Sequence, residues 1–326
     1  MLGSIRHIHW LGQLLILAGV YIITEALFVF LANGIINAMY PGMDTTKLIL
    51  SLSTIKSADE INDVEASALK WYQAITSLGR FVLVSLFFAE LLGEKPGDFL
   101  RLKKTPTING FILIPFIIIA ASFSIAVIDD WNAGLHLPSA WSSIEDTMRL
   151  WEQQAIIQTD IFLRTETISG LLVNILVICV IAGIGEELLF RGVLQGLIEK
   201  GTGKPHLAIW VSATLFSAIH LQFFGFFPRL LLGALNGYLF YYSRSLWAPI
   251  WAHFINNLLT VTAIFLTHRG VIQGDITESS NIWFGLIAAP FVFLLLYLYR
   301  NKESHGKRLD AGVLDVRQDG GELSDE

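Results

Sequence analysis

Long apolar runs broken by short polar segments recur along the chain, at residues 11–33, 74–93, 108–128, 170–190, 207–222, 229–243, 247–267 and 282–299. A helix needs about 20 mostly apolar residues to cross a bilayer. The pattern therefore predicts an all-α polytopic membrane bundle of about eight transmembrane helices. It fills residues 1–300 and is followed by a polar, aperiodic tail over 301–326, expected to be disordered. The fifth and sixth runs are short and separated only by the aromatic segment HLQFFGFFPR. Two segments between runs are long. Residues 34–73 contain ADEINDVEASALKWYQ and residues 129–169 contain WSSIEDTMRLWEQQAIIQTDIF, both with apolar residues at helical spacing. They read as amphipathic helices lying on the membrane or over the bundle, a structured cap without chemistry of its own.

Composition agrees with the pattern. Of 326 residues, 53% are hydrophobic and 15% charged, with a mean hydropathy of +0.58, against about 25% charged in soluble domains. The first run follows Arg6 but is too long for the roughly 7–15-residue core of a signal peptide, and no small-x-small cleavage site follows it, so a retained helix is expected. The one cysteine, Cys179, lies in an apolar run and reads as a buried structural thiol. No internal repeat divides the membrane part.

Charge sets an orientation. With the N-terminus cytoplasmic, the inner segments collect Arg6, Lys95, Arg101, Lys103, Lys104, Lys200, Lys204, Arg244 and the tail cations, whereas the outer ones are longer and acidic. This asymmetry predicts a multi-pass protein of the cell's inner membrane with both termini cytoplasmic. The net charge of −6 comes with no basic, aromatic-interleaved patch, which excludes nucleic acid as a partner.

The candidate chemistry begins at GIGEELLFRG, residues 183–192, where two glutamates and an arginine end an apolar run. Each unpaired charge there costs at least about 2.5–3.5 kcal/mol. Arg191 follows Glu187 by four residues and shares its face, the favourable order for an ion pair. From Glu186 it is about 140° away, so Glu186 needs another partner. The turn EKGTGKPH joins this helix to the next, and Glu186 and His220 each stand fifteen residues from its tip, at one depth of about 20–23 Å. In SLWAPIWAHFINNLL, His253 and Asn257 share a face and Asn256 is rotated off it. His253 lies about 10 Å below the start of its helix. For Glu186 and His220 to meet it there, the 191–206 hairpin has to project into the cytoplasm, with the cavity opening on that side.

The remaining polar groups in the spans read more plainly. Phe216 suits packing, and Gly233-x-x-x-Gly237 suits close helix contact. Asn236 is an unassigned polar group and a candidate for facing the cavity. Glu90 suits pairing with the basic 95–104 segment, and Glu25 has no evident partner and is a candidate for lining the cavity.

E-E-x-x-x-R (Glu186, Glu187, Arg191), F-x-x-x-H (Phe216 to His220) and H-x-x-x-N (His253 to Asn257), in this order and each on an expected membrane helix, resemble the CAAX prenyl protease and bacteriocin-processing family of intramembrane glutamic endopeptidases. The stretch RLLLGALNGYLFYYSRSLWAPIWAHFINN is also similar to that family. The resemblance covers roughly residues 180–260, within a core of about 170–267. It implies hydrolysis of peptide bonds in membrane-associated or lipidated peptides, with no cofactor. It implies further that Glu186 is the general base, that His220 positions the water and that His253 and Asn257 polarise the carbonyl. Glu187 and Arg191 then brace the site. The expected partners are a peptide or membrane-protein substrate and membrane lipids.

Other protease signatures are missing. H-E-x-x-H and G-x-S-x-G are absent, and the Gly-Asp pairs at 97–98 and 274–275 fall in loops. Two alternatives stay open. Glu186, His220 and His253 have the ligand types of an open zinc site, although the resemblance implies no metal. A non-proteolytic peptide-binding, immunity or transport protein would use the same polar groups for binding.

Overall fold

A computed structural model describes residues 4–272 and 281–319, with side chains through residue 304. The Gly274-Asp275 pair and the end of the 301–326 tail lie outside the described residues. The apolar runs form helices α1 (Trp10–Met39), α2 (Asp63–Leu91), α3 (Ile108–Ala133), α4 (Ser142–Leu163), α5 (Ile168–Thr202), α6 (Pro205–Ala218), α7 (Phe223–Ser243), α8 (Trp247–His268) and α9 (Ile282–Asp319). No strand occurs among the described residues. The residues from Asn301 to Asp319, within the expected tail, carry on the helical backbone of α9.

Seven of these helices are long and apolar enough to cross a membrane, rather than eight. The two that are not are α4, which comes from the polar 129–169 segment, and α6, whose 14 residues span only about 21 Å. The path of α6 is nevertheless end to end. At its start Gly201 packs against Trp10 of α1, and beyond its end the Phe223 carbonyl accepts a 3.0 Å bond from Asn132 at the end of α3. Asn132 also accepts from the Phe227 amide at 2.9 Å, satisfying a donor that the first turn of α7 leaves unpaired.

These traverses define two ends. One gathers Ser4, bonded to the Leu92 carbonyl at 3.1 Å, Arg6 paired with Glu94 at 2.9 Å, and Glu303, which accepts from the Thr107 amide at 3.0 Å. Ser4 and Arg6, the start of the 95–107 connection and Glu303 are therefore at one end. Glu90, expected to pair here, is exposed, and Glu94 is the carboxylate that pairs. The 191–206 hairpin belongs to this end, and its tip is exposed at Lys200, Gly201, Gly203 and Lys204 while its first arm is buried. Leu188 to Gln195 are all buried, and Glu199 is tied to Arg244 at 2.7 Å.

Close packing of α6 on α7 depends on Gly233 and Gly237. They let Arg191 and Gln195 reach the Gly233 and Gly237 carbonyls at 3.1 and 3.2 Å. A Cβ at Gly237 would stand 2.8 Å from Ile209 Cγ2 and 3.0 Å from Gln195 Oε1. Gly237→Ala is therefore expected to destabilise the protein by about 1–3 kcal/mol. Gly196→Ala, with nothing within 4 Å of its Cβ, should be neutral or stabilising by up to about 1 kcal/mol. Thermal unfolding in one detergent compares them, and equal melting temperatures would contradict the packing argument.

At the other end lies α4, the cap. Its Ile157 and Ile161 pack with Ile36, Ile55, Ile61 and Leu69, which explains why α2 starts at Asp63 and not near residue 74. The Asn62–Glu65 capping box fixes that start. The first turn of the cap is braced by Glu145, which accepts from the Leu137 amide at 2.7 Å and contacts Arg149 at 2.6 Å and His136 at 2.9 Å. The Leu137 amide first, then Arg149, pull the Glu145 carboxyl down from its ordinary 4.5 to about 2. A depressed carboxyl stabilises the fold above its ordinary value and loses that contribution as pH falls toward its folded value. Hydrogen exchange over residues 135–149, corrected for intrinsic rates, is expected to quicken from pH 5 to 2 in the wild type. Glu145→Gln should show fast exchange throughout, and a flat wild-type profile would mean that the brace contributes nothing.

Candidate active site

The polar residues singled out in α5 and α8 converge under the cap with His220, which stands in the turn just beyond α6 and not on that helix. Glu186, His220, His253 and Asn257 all line one cavity of about 540 Å³. Its walls also carry Gln158, Thr159 and Phe162 of α4, so the cap forms part of the cavity wall. Asn256 lines it too, although the helical wheel turns it away from His253. The cavity runs from Glu186 toward the cap, away from the basic end. Ser4 and Glu303 lie at the end of the bundle opposite the cap.

Local backbone shape sets the glutamates in place. Helix α5 widens into π-type turns at Ile175–Ala182 and Leu188–Gln195, on either side of the regular turn Gly183–Glu187. Such turns recur at functional sites because they offset side chains along a helix. Gly185 permits the approach of α2, since a Cβ there would stand 2.8 Å from Phe81 Cβ.

Glu187 is fully buried and is the hub. Its Oε1 accepts from Arg191 Nη1 at 2.9 Å, from Asn236 Nδ2 at 3.1 Å and from His253 Nδ1 at 2.7 Å. The i to i+4 pair with Arg191 is the one expected from spacing. The other two partners come from α7 and α8. An ionised carboxylate only accepts, so the proton of His253 sits on Nδ1 and Nε2 faces the cavity. There it stands 3.8 Å from Glu186 Oε2. His220 is oriented by the same logic. Its Nδ1 lies 2.8 Å from the Phe216 carbonyl, which also only accepts, leaving Nε2 free.

Phe216 keeps these groups apart. Its ring stands edge-on to His220 and His253 at centroid distances of 5.1 and 6.2 Å, and the Arg191 guanidinium lies over it at 4.7 Å. Asn257 donates from Nδ2 to the Ile178 carbonyl at 3.0 Å, which holds the amide while its second N–H remains to be used. With His253 protonated, the charges of Glu186, Glu187, Arg191 and His253 cancel among themselves, which limits the desolvation cost of this group.

Other residues singled out in the sequence fall elsewhere. Glu25 is not in the cavity wall: it forms a bidentate pair with Arg80 of α2, a partner 55 positions away that spacing cannot reveal. Cys179 is a free, buried thiol. Among the described residues no three His, Cys, Asp or Glu side chains are gathered as a metal-ligand set. Arg229 and Gln222 line the cavity too; the sequence places them in the aromatic segment HLQFFGFFPR without marking them as site residues.

Comparison with known proteins singles out the same region. Residues 168–259 match the family described as "Type II CAAX prenyl endopeptidase Rce1-like". That span contains all the residues from Glu186 to Asn257. The chain is also 26% identical over 99 residues to "Uncharacterized protein YpbD" of Bacillus subtilis (strain 168), covering 29% of this chain and 48% of that protein. The chain thus spans about half the length of the curated relative it matches. No solved structure matches.

Proposed function

Since the chain carries an Rce1-like type II CAAX prenyl endopeptidase family domain at residues 168–259 inside a multi-pass membrane bundle, we propose that it is an intramembrane endopeptidase that uses Glu186 to activate water. The observation that carries this reading is the convergence of Glu186, His220, His253 and Asn257 on one cavity, with His253 oriented by Glu187 at 2.7 Å.

In this reading a water in the cavity donates one O–H to Glu186 and is held by the free Nε2 of His220. As its oxygen attacks the peptide carbonyl, Glu186 takes the proton. Charge then grows on the carbonyl oxygen. His253, protonated on Nε2 and held through Nδ1 by Glu187, and the second N–H of Asn257 are donors for it, and such donors gain strength where water is excluded. Glu186 returns its proton to the amine as the C–N bond breaks. Arg191 and Asn236 act by fixing Glu187, and Asn236 also lines the cavity.

The test is hydrolysis of a quenched fluorescent peptide library by detergent-purified protein, with and without a chelator, with cleavage sites read by mass spectrometry and Glu186→Gln as control. Cleavage that survives chelation and disappears in the control supports the proposal. Loss on chelation transfers the chemistry to a metal, and no cleavage favours a peptide-binding role.

For orientation, the charge asymmetry supports the basic end being cytoplasmic, which sets the cap and the cavity on the opposite side. In a Cys179→Ala background, an impermeant thiol reagent applied to intact cells is expected to label a cysteine at 146 and to spare one at 202. The reverse pattern would invert the assignment.

A further inference from the structure

The cavity holds a cation that the hydrolytic scheme does not use. Arg229, in the first turns of α7, lines the same cavity as Glu186 and His220. Among the described residues the hydrogen bonds of its guanidinium go to Gln222 alone, from Nη2 to Oε1 at 2.6 Å and from Nη1 to the main-chain carbonyl at 3.4 Å. Glu152, Asp129 and Glu186 act on its charge from farther off. None makes a contact ion pair with it, unlike Arg80, Arg191 and Arg244 elsewhere in the protein.

The surroundings look built for this. Gln222 donates through Nε2 to Glu152 Oε1 at 3.1 Å, which turns its carbonyl oxygen toward Arg229. Glu152 also accepts from the Phe224 amide at 3.2 Å, fixing the turn that carries Gln222. Gly225 leaves room for the guanidinium, since a Cβ there would stand 2.6 Å from Nη2. A neutral amide is thus interposed between carboxylate and arginine. It holds the guanidinium in position without neutralising it, and its planar fork suits bidentate capture of a carboxylate. A desolvated arginine kept out of contact with its nearest acids is costly as a structural device, whereas a ligand carboxylate would complete it.

We propose that Arg229 is a specificity-determining residue that receives a carboxylate of the peptide substrate, so that the cavity selects peptides bearing an anionic group near the cleaved bond. The proposal deepens the endopeptidase reading and rests on it. The carboxylate comes either from the substrate's C-terminus or from an acidic side chain.

The experiment uses full-length purified protein and three quenched peptides of one cleavable sequence: with a free C-terminal carboxylate, with a C-terminal amide, and with the amide plus one glutamate beside the terminus. Wild type is expected to prefer at least one carboxylate-bearing peptide over the plain amide by about 10- to 100-fold in kcat/KM, mainly through KM, the range of a charge-assisted hydrogen-bonded contact. In Arg229→Gln this ratio should collapse to about one, and Arg229→Lys should keep part of it. Whichever acidic peptide is preferred identifies the source. A wild-type ratio of one, or one that survives in Arg229→Gln, overturns the proposal, as does an equal loss on all three peptides, the mark of a merely structural role. Fluorescence anisotropy of the same peptides on Glu186→Gln protein, with and without Arg229→Gln, reads the preference without cleavage. Absence of hydrolysis in wild type with the binding ratio intact would refute the protease reading alone, and loss of the binding ratio would refute the role of Arg229.

Discussion

Replacing Glu187 by alanine is expected to destabilise the protein by about 3–5 kcal/mol, the cost of leaving a buried charge without its partner, and to abolish hydrolysis. Arg191 is 1% exposed and has Glu187 as its only contact carboxylate among the described residues. The same substitution releases His253 and Asn236, whose bonds to Glu187 Oε1 are 2.7 and 3.1 Å. Stability and chemistry should therefore fail together. The double replacement Glu187→Leu with Arg191→Met separates the two effects, because removing both charges also removes the desolvation penalty. It should be more stable than either single variant while remaining inactive, since His253 is no longer oriented. Unfolding in mixed micelles, run as a double-mutant cycle, measures this. Additive losses would mean that the two charges do not act as a pair.

Glu186→Gln is expected to act in the opposite manner, on rate and not on folding. The substitution keeps the shape of the side chain, and among the described residues the Glu186 carboxylate has no hydrogen bond and only the 3.8 Å approach to His253 as an ion pair. General-base catalysis contributes about 10²–10⁴-fold, so kcat should fall by that factor with the melting temperature unchanged and KM little altered. The measurement is steady-state hydrolysis of a peptide that the wild type cleaves. A loss below tenfold would remove Glu186 from the role of base.

The amino-acid sequence by itself determined the helical membrane architecture, the approximate spans and the Glu187–Arg191 pair. Each of these depends on properties local to one helix: apolar length sets a span, and a rise of about 1.5 Å with 3.6 residues per turn sets an i to i+4 contact. The motif residues Glu186, His220, His253 and Asn257 were legible as intramembrane polar groups too costly to lack partners. Only the tertiary structure decided which partners they have. The bond from His253 to Glu187 joins positions 66 apart, and that from Arg80 to Glu25 positions 55 apart. Both depend on the rotation and crossing of whole helices, which no periodicity records. The short α6 still carries the chain between the two ends because the turn beyond it is anchored by Asn132 and Glu152. The cap became part of the cavity because its Ile157 and Ile161 seat against α1 and α2, turning Gln158, Thr159 and Phe162 toward Glu186. The amphipathic pattern of the cap helix shows that one face is buried, but what that face covers follows only from packing.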